Sequence, residues 1–241
     1  EWIGRFRALP EDEVVLERTF SRSPDGTPLV TGNTWLSHDI CLGSTSRDSL
    51  WTQRRPLIAY WKTAEDPAVV LRQRFLKDER DFASVGAINR QWKNRVLSSF
   101  EPLDRMGDYH LYLDHPEDGI FTASDFRLRY ELRGSGVRAD QVDETRYALE
   151  AGNIRAVLHT APGWFNGEKV LWQLGSEDDL VYLDAVCYQG KASAFHLMSL
   201  ERMILAIGLE ILPFVEQPTG EPVSISTGAD DKLHCSWRDL S

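Results

Sequence analysis

Hydrophobic and polar residues alternate at every second position along much of the chain, and helical periodicity is scarce. The clearest example is the segment 125–132, in which every second residue is apolar. Such alternation is typical of a strand with one face on a core and one face in solvent. It predicts inward positions at Phe126, Leu128, Tyr130 and Leu132, and solvent-facing positions at Arg127, Arg129 and Glu131.

About a dozen short segments show β-type composition, and Gly-, Pro- and Asn-containing turns separate them. Many short strands with this punctuation predict an all-β fold, a large antiparallel β-sandwich of the supersandwich type. We interpret residues 1–241 as one domain. The predicted strands are 14–20, 29–36, 57–61, 69–76, 84–92, 95–100, 109–113, 126–132, 154–160, 169–174, 180–188, 223–226 and 233–237.

Two other local patterns concern single elements. The helix-forming residues in 192–212 leave open one short helix near 193–202, whereas β-branched residues and Gly208 favour a turn followed by a strand over 202–211. The dipeptide Asn166-Gly167 is a hairpin signal between 157–159 and 170–172.

The composition excludes several classes of protein. The 241 residues are 42% hydrophobic and 27% charged, which are ordinary values for a globular protein. No apolar run approaches the 18 or so residues of a membrane-spanning helix, so we expect no membrane span. The net charge of −10 argues against a nucleic-acid partner. Phosphate-loop, dinucleotide, nucleophile-elbow and zinc-protease motifs are absent, and we expect no cofactor and no metal.

The charge is unevenly distributed. Residues 47–95 carry 11 basic and six acidic side chains, a local charge of +5 in an acidic protein. This segment would attract an anionic ligand such as a uronic-acid polysaccharide. The alternative is that these side chains only cover the solvent faces of strands.

The three cysteines argue against a disulfide framework or a zinc site, because their number is odd and no short spacing occurs. A single bridge, Cys41–Cys187 or Cys187–Cys235, stays open. The compartment is open too, with a secreted or periplasmic location among the alternatives.

A first polar cluster lies in residues 108–118. If 108–114 is a strand, His110 lies between two carboxylates on one face, where it would act as an oriented base or bind a metal. Tyr109, His110 and Tyr112 are therefore candidate catalytic residues. The alternative is an ordinary strand that ends in a turn.

A second cluster combines aromatic and amide side chains with guanidinium groups. Sugar sites need flat apolar faces for rings and bidentate donors for hydroxyls and carboxylates. The candidate substrate-binding residues are Asn33, Trp35, Trp51, Arg54 and Arg55. The alternative is a strand pair whose tryptophans belong to the core.

Five segments together resemble a known domain: 33–44, 51–61, 71–76, 107–114 and 183–188. They are similar to the C-terminal β-sandwich of proteins that pair an (α/α) toroid with a sandwich, such as heparinase II/III-like polysaccharide lyases. The resemblance implies a longer chain, with a helical toroid before Glu1, and a polysaccharide or oligosaccharide ligand. It carries over no catalytic residue, because no acid/base motif of the family matches a numbered position.

Three hypotheses for the function follow. The first is a carbohydrate-active sandwich, accessory to binding and cleavage of an acidic glycan by an adjoining N-terminal α-helical domain. The second is a self-contained polysaccharide lyase or hydrolase that uses Tyr109 or Tyr112 with His110 in β-elimination. The third is a non-catalytic structural or protein-binding sandwich.

Overall fold

A computed structural model describes residues 13–47, 56–82, 85–102, 118–196, 203–228 and 233–241. These segments form strands and turns, and none of them is helical. The strands are β1 (Val14–Arg22), β2 (Pro28–Leu36), β3 (Ile40–Thr45), β4 (Leu57–Trp61), β5 (Val69–Lys77), β6 (Arg80–Asp81), β7 (Val85–Trp92), β8 (Arg95–Pro102), β9 (Ile120–Arg133), β10 (Arg138–Gln141), β11 (Arg146–Ala151), β12 (Ile154–Thr160), β13 (Trp164–Phe165), β14 (Glu168–Lys169), β15 (Leu171–Glu177), β16 (Leu180–His196), β17 (Ala206–Pro213), β18 (Ser224–Thr227) and β19 (Leu233–Ser236).

Two large antiparallel sheets pack face to face, which confirms the predicted all-β class. The first sheet has the strand order β1-β2-β3-β4-β5-β9-β16-β15, and β6 pairs with β5. The second has the order β10-β11-β12-β17-β8-β7. One hydrophobic core lies between them, since Leu71, Leu128 and Leu183 of the first sheet belong to the same buried cluster as Leu158 and Leu209 of the second.

The two ambiguous segments are now assigned. Strand β17 runs through most of 202–211, as the β-branched residues favoured. Residues 193–196 continue β16 instead of forming a helix, and 197–202 lie outside the described residues. The Asn166-Gly167 turn closes a hairpin of only β13 and β14, because β12 pairs with β11 and β17.

The outer face of β9 carries charged side chains that are buried. Glu131 is 1% exposed, Arg129 6% and Arg127 9%. The prediction that these residues face solvent is therefore wrong, although the inward half of the alternation is confirmed. The long arginine side chains lie across neighbouring strands and shield the carboxylates from water.

Asp184 on β16 is the centre of this charged network. Its carboxylate accepts hydrogen bonds from Arg129 Nε at 2.7 Å and from Arg127 Nη1 at 2.8 Å. Arg127 also binds Asp125, and its bonds to Asp125 and Asp184 raise the pKa of the guanidinium. The Arg129 guanidinium lies 3.7 Å from the centre of the Tyr182 ring.

Glu131 forms the second half of the network on the β5 side. It accepts a hydrogen bond from Arg74 Nη1 at 3.1 Å and another from Arg72. Arg74 in turn donates from Nε to Asp81 at 2.7 Å. Each buried carboxylate is thus paired with two arginines, which satisfies the requirement for burying charge in a sheet.

The C-terminal segment covers the outer face of the second sheet with a smaller core. Trp237 packs on the backbone of Gly208, where an added Cβ would lie only 2.6 Å from the indole. Leu97, Ala206 and Val223 surround the indole in this cluster. A glycine at 208 is what allows the tryptophan to approach the strand so closely.

A buried carboxylate fixes the same segment to the sheet. Glu210 Oε1 accepts hydrogen bonds from His159 Nε2 at 3.1 Å and from the Thr219 N–H at 2.7 Å. Burial alone raises the pKa of Glu210, but these bonds and the charge of Arg238 outweigh it and hold the pKa below the ordinary value of 4.5.

We expect Asp184→Asn to lower the free energy of unfolding by about 3 kcal/mol, because the buried Arg129 loses its charged partner and Arg127 loses one of its two. Urea denaturation measures the change. Asp179→Asn is the matched control, since Asp179 pairs with Arg133 at the surface and its loss costs less than about 1 kcal/mol. Equal losses for the two variants would contradict this account.

We expect stability at acid pH to depend on Glu210. A carboxylate with a lowered folded-state pKa stabilises the fold at pH above 4.5, and this contribution is lost as the pH falls through the folded pKa. Unfolding free energies measured below pH 4.5 should therefore fall less steeply for Glu210→Gln than for the wild type. Glu168→Gln, at an exposed position, is the control and should follow the wild-type profile. Parallel profiles for wild type and Glu210→Gln would refute the assignment.

Candidate functional site

The two sheets are joined by backbone contacts between residues 44–47 and residues 88–91. We call this junction the seam. Arg47, just after β3, forms an antiparallel bridge with Ile88 of β7. The Asn89 N–H donates to the Ser46 carbonyl at 3.1 Å. The seam thus connects an inner strand of the first sheet to an edge strand of the second.

Two amide side chains reinforce the seam, the buried Asn89 and the half-buried Gln91. Asn89 Nδ2 donates to the carbonyls of Thr45 and Pro56, each at 3.0 Å, and its Oδ1 accepts from Ser98 Oγ at 2.6 Å. Gln91 Nε2 donates to the Leu42 carbonyl at 3.1 Å. These side chains occupy inward positions of β7, and their polar atoms are paired.

A cleft of about 670 Å³ opens beside the seam, and we call it the seam cleft. Its lining is mostly polar and combines β2, β7 and the end of the chain. The lining residues are Pro28, Leu29, Thr31, Asn33, Ser46, Arg47, Ile88, Asn89, Arg90, Gln91, Asp239, Leu240 and Ser241.

The charged groups of the seam cleft are mainly cationic. Arg47 and Arg90 are exposed. Arg90 lies two residues along β7 from Ile88, the bridge partner of Arg47, a separation of about 7 Å along the strand. Asp239 is the acidic side chain of the lining, and Arg95 Nη1 binds it at 3.0 Å. The two exposed guanidinium groups therefore favour an anion in the cleft.

An exposed aromatic ring continues this surface. Trp92 is 49% exposed, and strand alternation places it on the same face of β7 as Arg90. An indole beside guanidinium groups is the combination that stacks on a sugar ring while binding its polar substituents.

The predicted site residues are distributed unevenly. Asn33 lines the seam cleft. Trp35 follows it on the same face of β2 but is only 4% exposed and belongs to the core, so its ring presents no face to a ligand. Trp51, Arg54 and Arg55 fall outside the described residues, as do Tyr109, His110 and Tyr112.

The sequence interpretation missed Asn89, Arg90 and Gln91 as members of the site. The sequence did contain an indication of the site, because two amide residues occupy the positions of β7 that continue the inward alternation of Val85 and Ala87. Buried amides at inward positions indicate a close approach of two backbones.

The described segments also show the state of the cysteines and the arrangement of possible metal ligands. Cys41, Cys187 and Cys235 are free, so neither Cys41–Cys187 nor Cys187–Cys235 is a disulfide bridge. Burial raises the pKa of the Cys187 thiol to about 12. Across these segments, no group of three or more His, Cys, Asp or Glu side chains is arranged to hold a metal ion. The same segments contain no helix of the length and apolarity needed to cross a membrane.

No family model, curated protein or solved structure matches the chain.

We expect Asn89→Leu to destabilise the protein by about 3 kcal/mol, because it removes three hydrogen bonds, each worth about 1 kcal/mol, from the seam. Urea denaturation tests this. Gln141→Leu, which removes an exposed amide with one bond to the Asp143 carbonyl, is the control and should change the stability by less than about 0.5 kcal/mol. A loss at Asn89 as small as the control's would show that the seam does not depend on this amide.

Proposed function

We propose that this chain is a carbohydrate-active β-sandwich domain that binds an acidic polysaccharide in the seam cleft. Cleavage belongs, in this proposal, to an adjoining α-helical domain of the same protein. The observation that carries it is the seam cleft, whose lining brings together Asn33, Arg47 and Arg90.

The chemistry of the cleft fits a uronate-containing glycan. A guanidinium group binds a carboxylate through two parallel N–H donors, and Arg47 and Arg90 supply two such groups. Asn33 offers an amide donor and acceptor for sugar hydroxyls. Trp92 extends the surface with an exposed ring for a neighbouring sugar.

The charge distribution supports the same ligand. The whole chain carries −10, yet these arginines belong to the basic segment 47–95. A local positive region in an acidic protein steers an anionic ligand to one place and disfavours its binding elsewhere. Polyanion affinity should accordingly weaken as the ionic strength rises.

The test is binding of polygalacturonate, a polyuronate, measured by isothermal titration calorimetry. Arg47→Gln and Arg90→Gln should each weaken binding about tenfold, the effect of losing one hydrogen bond to a charged group. Arg138→Gln makes the same charge change on β10, at the opposite edge of the second sheet from β7, and should bind like the wild type.

Two outcomes would overturn the proposal. One is the absence of polygalacturonate binding by the wild-type chain. The other is an equal loss in all three variants, which would indicate that only the total charge matters. Urea denaturation of each variant shows whether a loss of binding reflects a loss of fold.

A further inference from the structure

A second cavity, of about 360 Å³, lies on the outer face of the second sheet, under the C-terminal segment. It shares no lining residue with the seam cleft. Its polar side chains are Asn94, Arg95, Glu210, Glu216, Gln217, Thr219 and Arg238. Carboxylate, guanidinium and amide groups therefore line one solvent-accessible pocket, which we call the strap cavity.

Glu210 is anchored on one side and open on the other. Its Oε1 is held by His159 and by the Thr219 N–H. Its Oε2 lies 4.0 Å from Arg238 Nη1, which is longer than a direct hydrogen bond. Arg238 Nε lies 3.8 Å from Glu221, so this guanidinium is also held loosely on its other side.

The gap between Glu210 and Arg238 selects the type of atom that fills it. The bridging atom must donate to the carboxylate and accept from the guanidinium, and a hydroxyl does both. An anionic group would be repelled by Glu210 and Glu216, and a cation by Arg238 and Arg95. The balance of charges therefore favours a neutral ligand.

The backbone of Arg238 adopts an energetically unfavourable conformation where it positions this guanidinium. Arg238 has φ of +56°, in the left-handed region that a residue with a side chain rarely adopts. The turn from Trp237 to Leu240 is closed by reciprocal backbone hydrogen bonds of 2.9 and 3.0 Å, which hold that conformation. The fold thus fixes a guanidinium opposite a buried carboxylate without closing their contact.

Strand register places an aromatic ring beside the strap cavity. Glu210 is paired with Arg95, and Arg95 with Trp92, so the three form one row across β17, β8 and β7. Two strand spacings separate Glu210 from Trp92, about 10 Å. The half-exposed indole therefore lies next to Arg95, one of the residues that line the strap cavity.

We propose that the strap cavity is a second carbohydrate subsite, which binds a neutral hydroxyl-rich sugar through Glu210 and Arg238. The lowered pKa of Glu210 keeps its carboxylate charged and able to accept at neutral pH. One hydroxyl of the sugar bridges the Glu210 carboxylate and the Arg238 guanidinium, and the amides of Asn94 and Gln217 serve further hydroxyls. The site does not require the seam cleft to be occupied.

The test is an NMR titration of the isotope-labelled chain with glucose, galactose and mannose in turn. The expected result is saturable shifts of the Glu210 and Thr219 backbone amides with at least one of the three sugars. Arg238→Gln should raise that dissociation constant about tenfold, because a charged donor is lost. Arg138→Gln, the same change on β10, should leave it unaltered.

The outcomes separate this proposal from the previous one. Absence of shifts with all three sugars would mean that water alone fills the strap cavity, and would overturn the inference. An Arg238→Gln variant that keeps wild-type folding stability and wild-type sugar affinity would overturn it too. Polygalacturonate binding with no response to neutral sugars would leave only the seam cleft, and the converse would leave only the strap cavity.

Discussion

The pairing of β9 with β16 is the constraint on which the rest of the structure depends. Their outer faces carry buried ions, and their inner faces carry the apolar core. A shift of one residue would turn Arg127, Arg129 and Glu131 toward the apolar layer. Each would then be a charge without its partner, so the network permits a single register. Because β5 and β15 pair with these two strands, that register is passed to the whole first sheet.

The second sheet uses its outer face differently. There the charges are fewer, and a C-terminal segment covers the face through Trp237 and Glu210. This covering leaves openings on both sides of the Arg95–Asp239 ion pair, with Asp239 lining the seam cleft and Arg95 the strap cavity. Both proposed binding sites therefore arise from how the end of the chain lies on β7, β8 and β17.

Alternation along the chain predicted which side chains share a face, but it did not predict whether that face meets water. In β9 the inward set was correct, and the outward set is buried because arginines from neighbouring strands reach across it. Strand β11 was missed because Tyr147, Ala148, Leu149 and Glu150 give it no clear period of two. Pairing with β10 and β12 determines its conformation. Of the candidate site, Asn33 was found from composition, whereas Asn89 and Gln91 required knowledge of which strands meet.

The amide side chains at the seam have a consequence for how a ligand would bind. Asn89 and Gln91 tie β7 to β3 through side-chain bonds to backbone carbonyls, so the walls of the seam cleft have their shape before any ligand arrives. Binding then orders little beyond the side chains of Arg47 and Arg90, at a conformational-entropy cost of about 0.5–1.5 kcal/mol each. A cleft preorganised in this way favours stiff, extended ligands, whose own loss of freedom on binding is equally small.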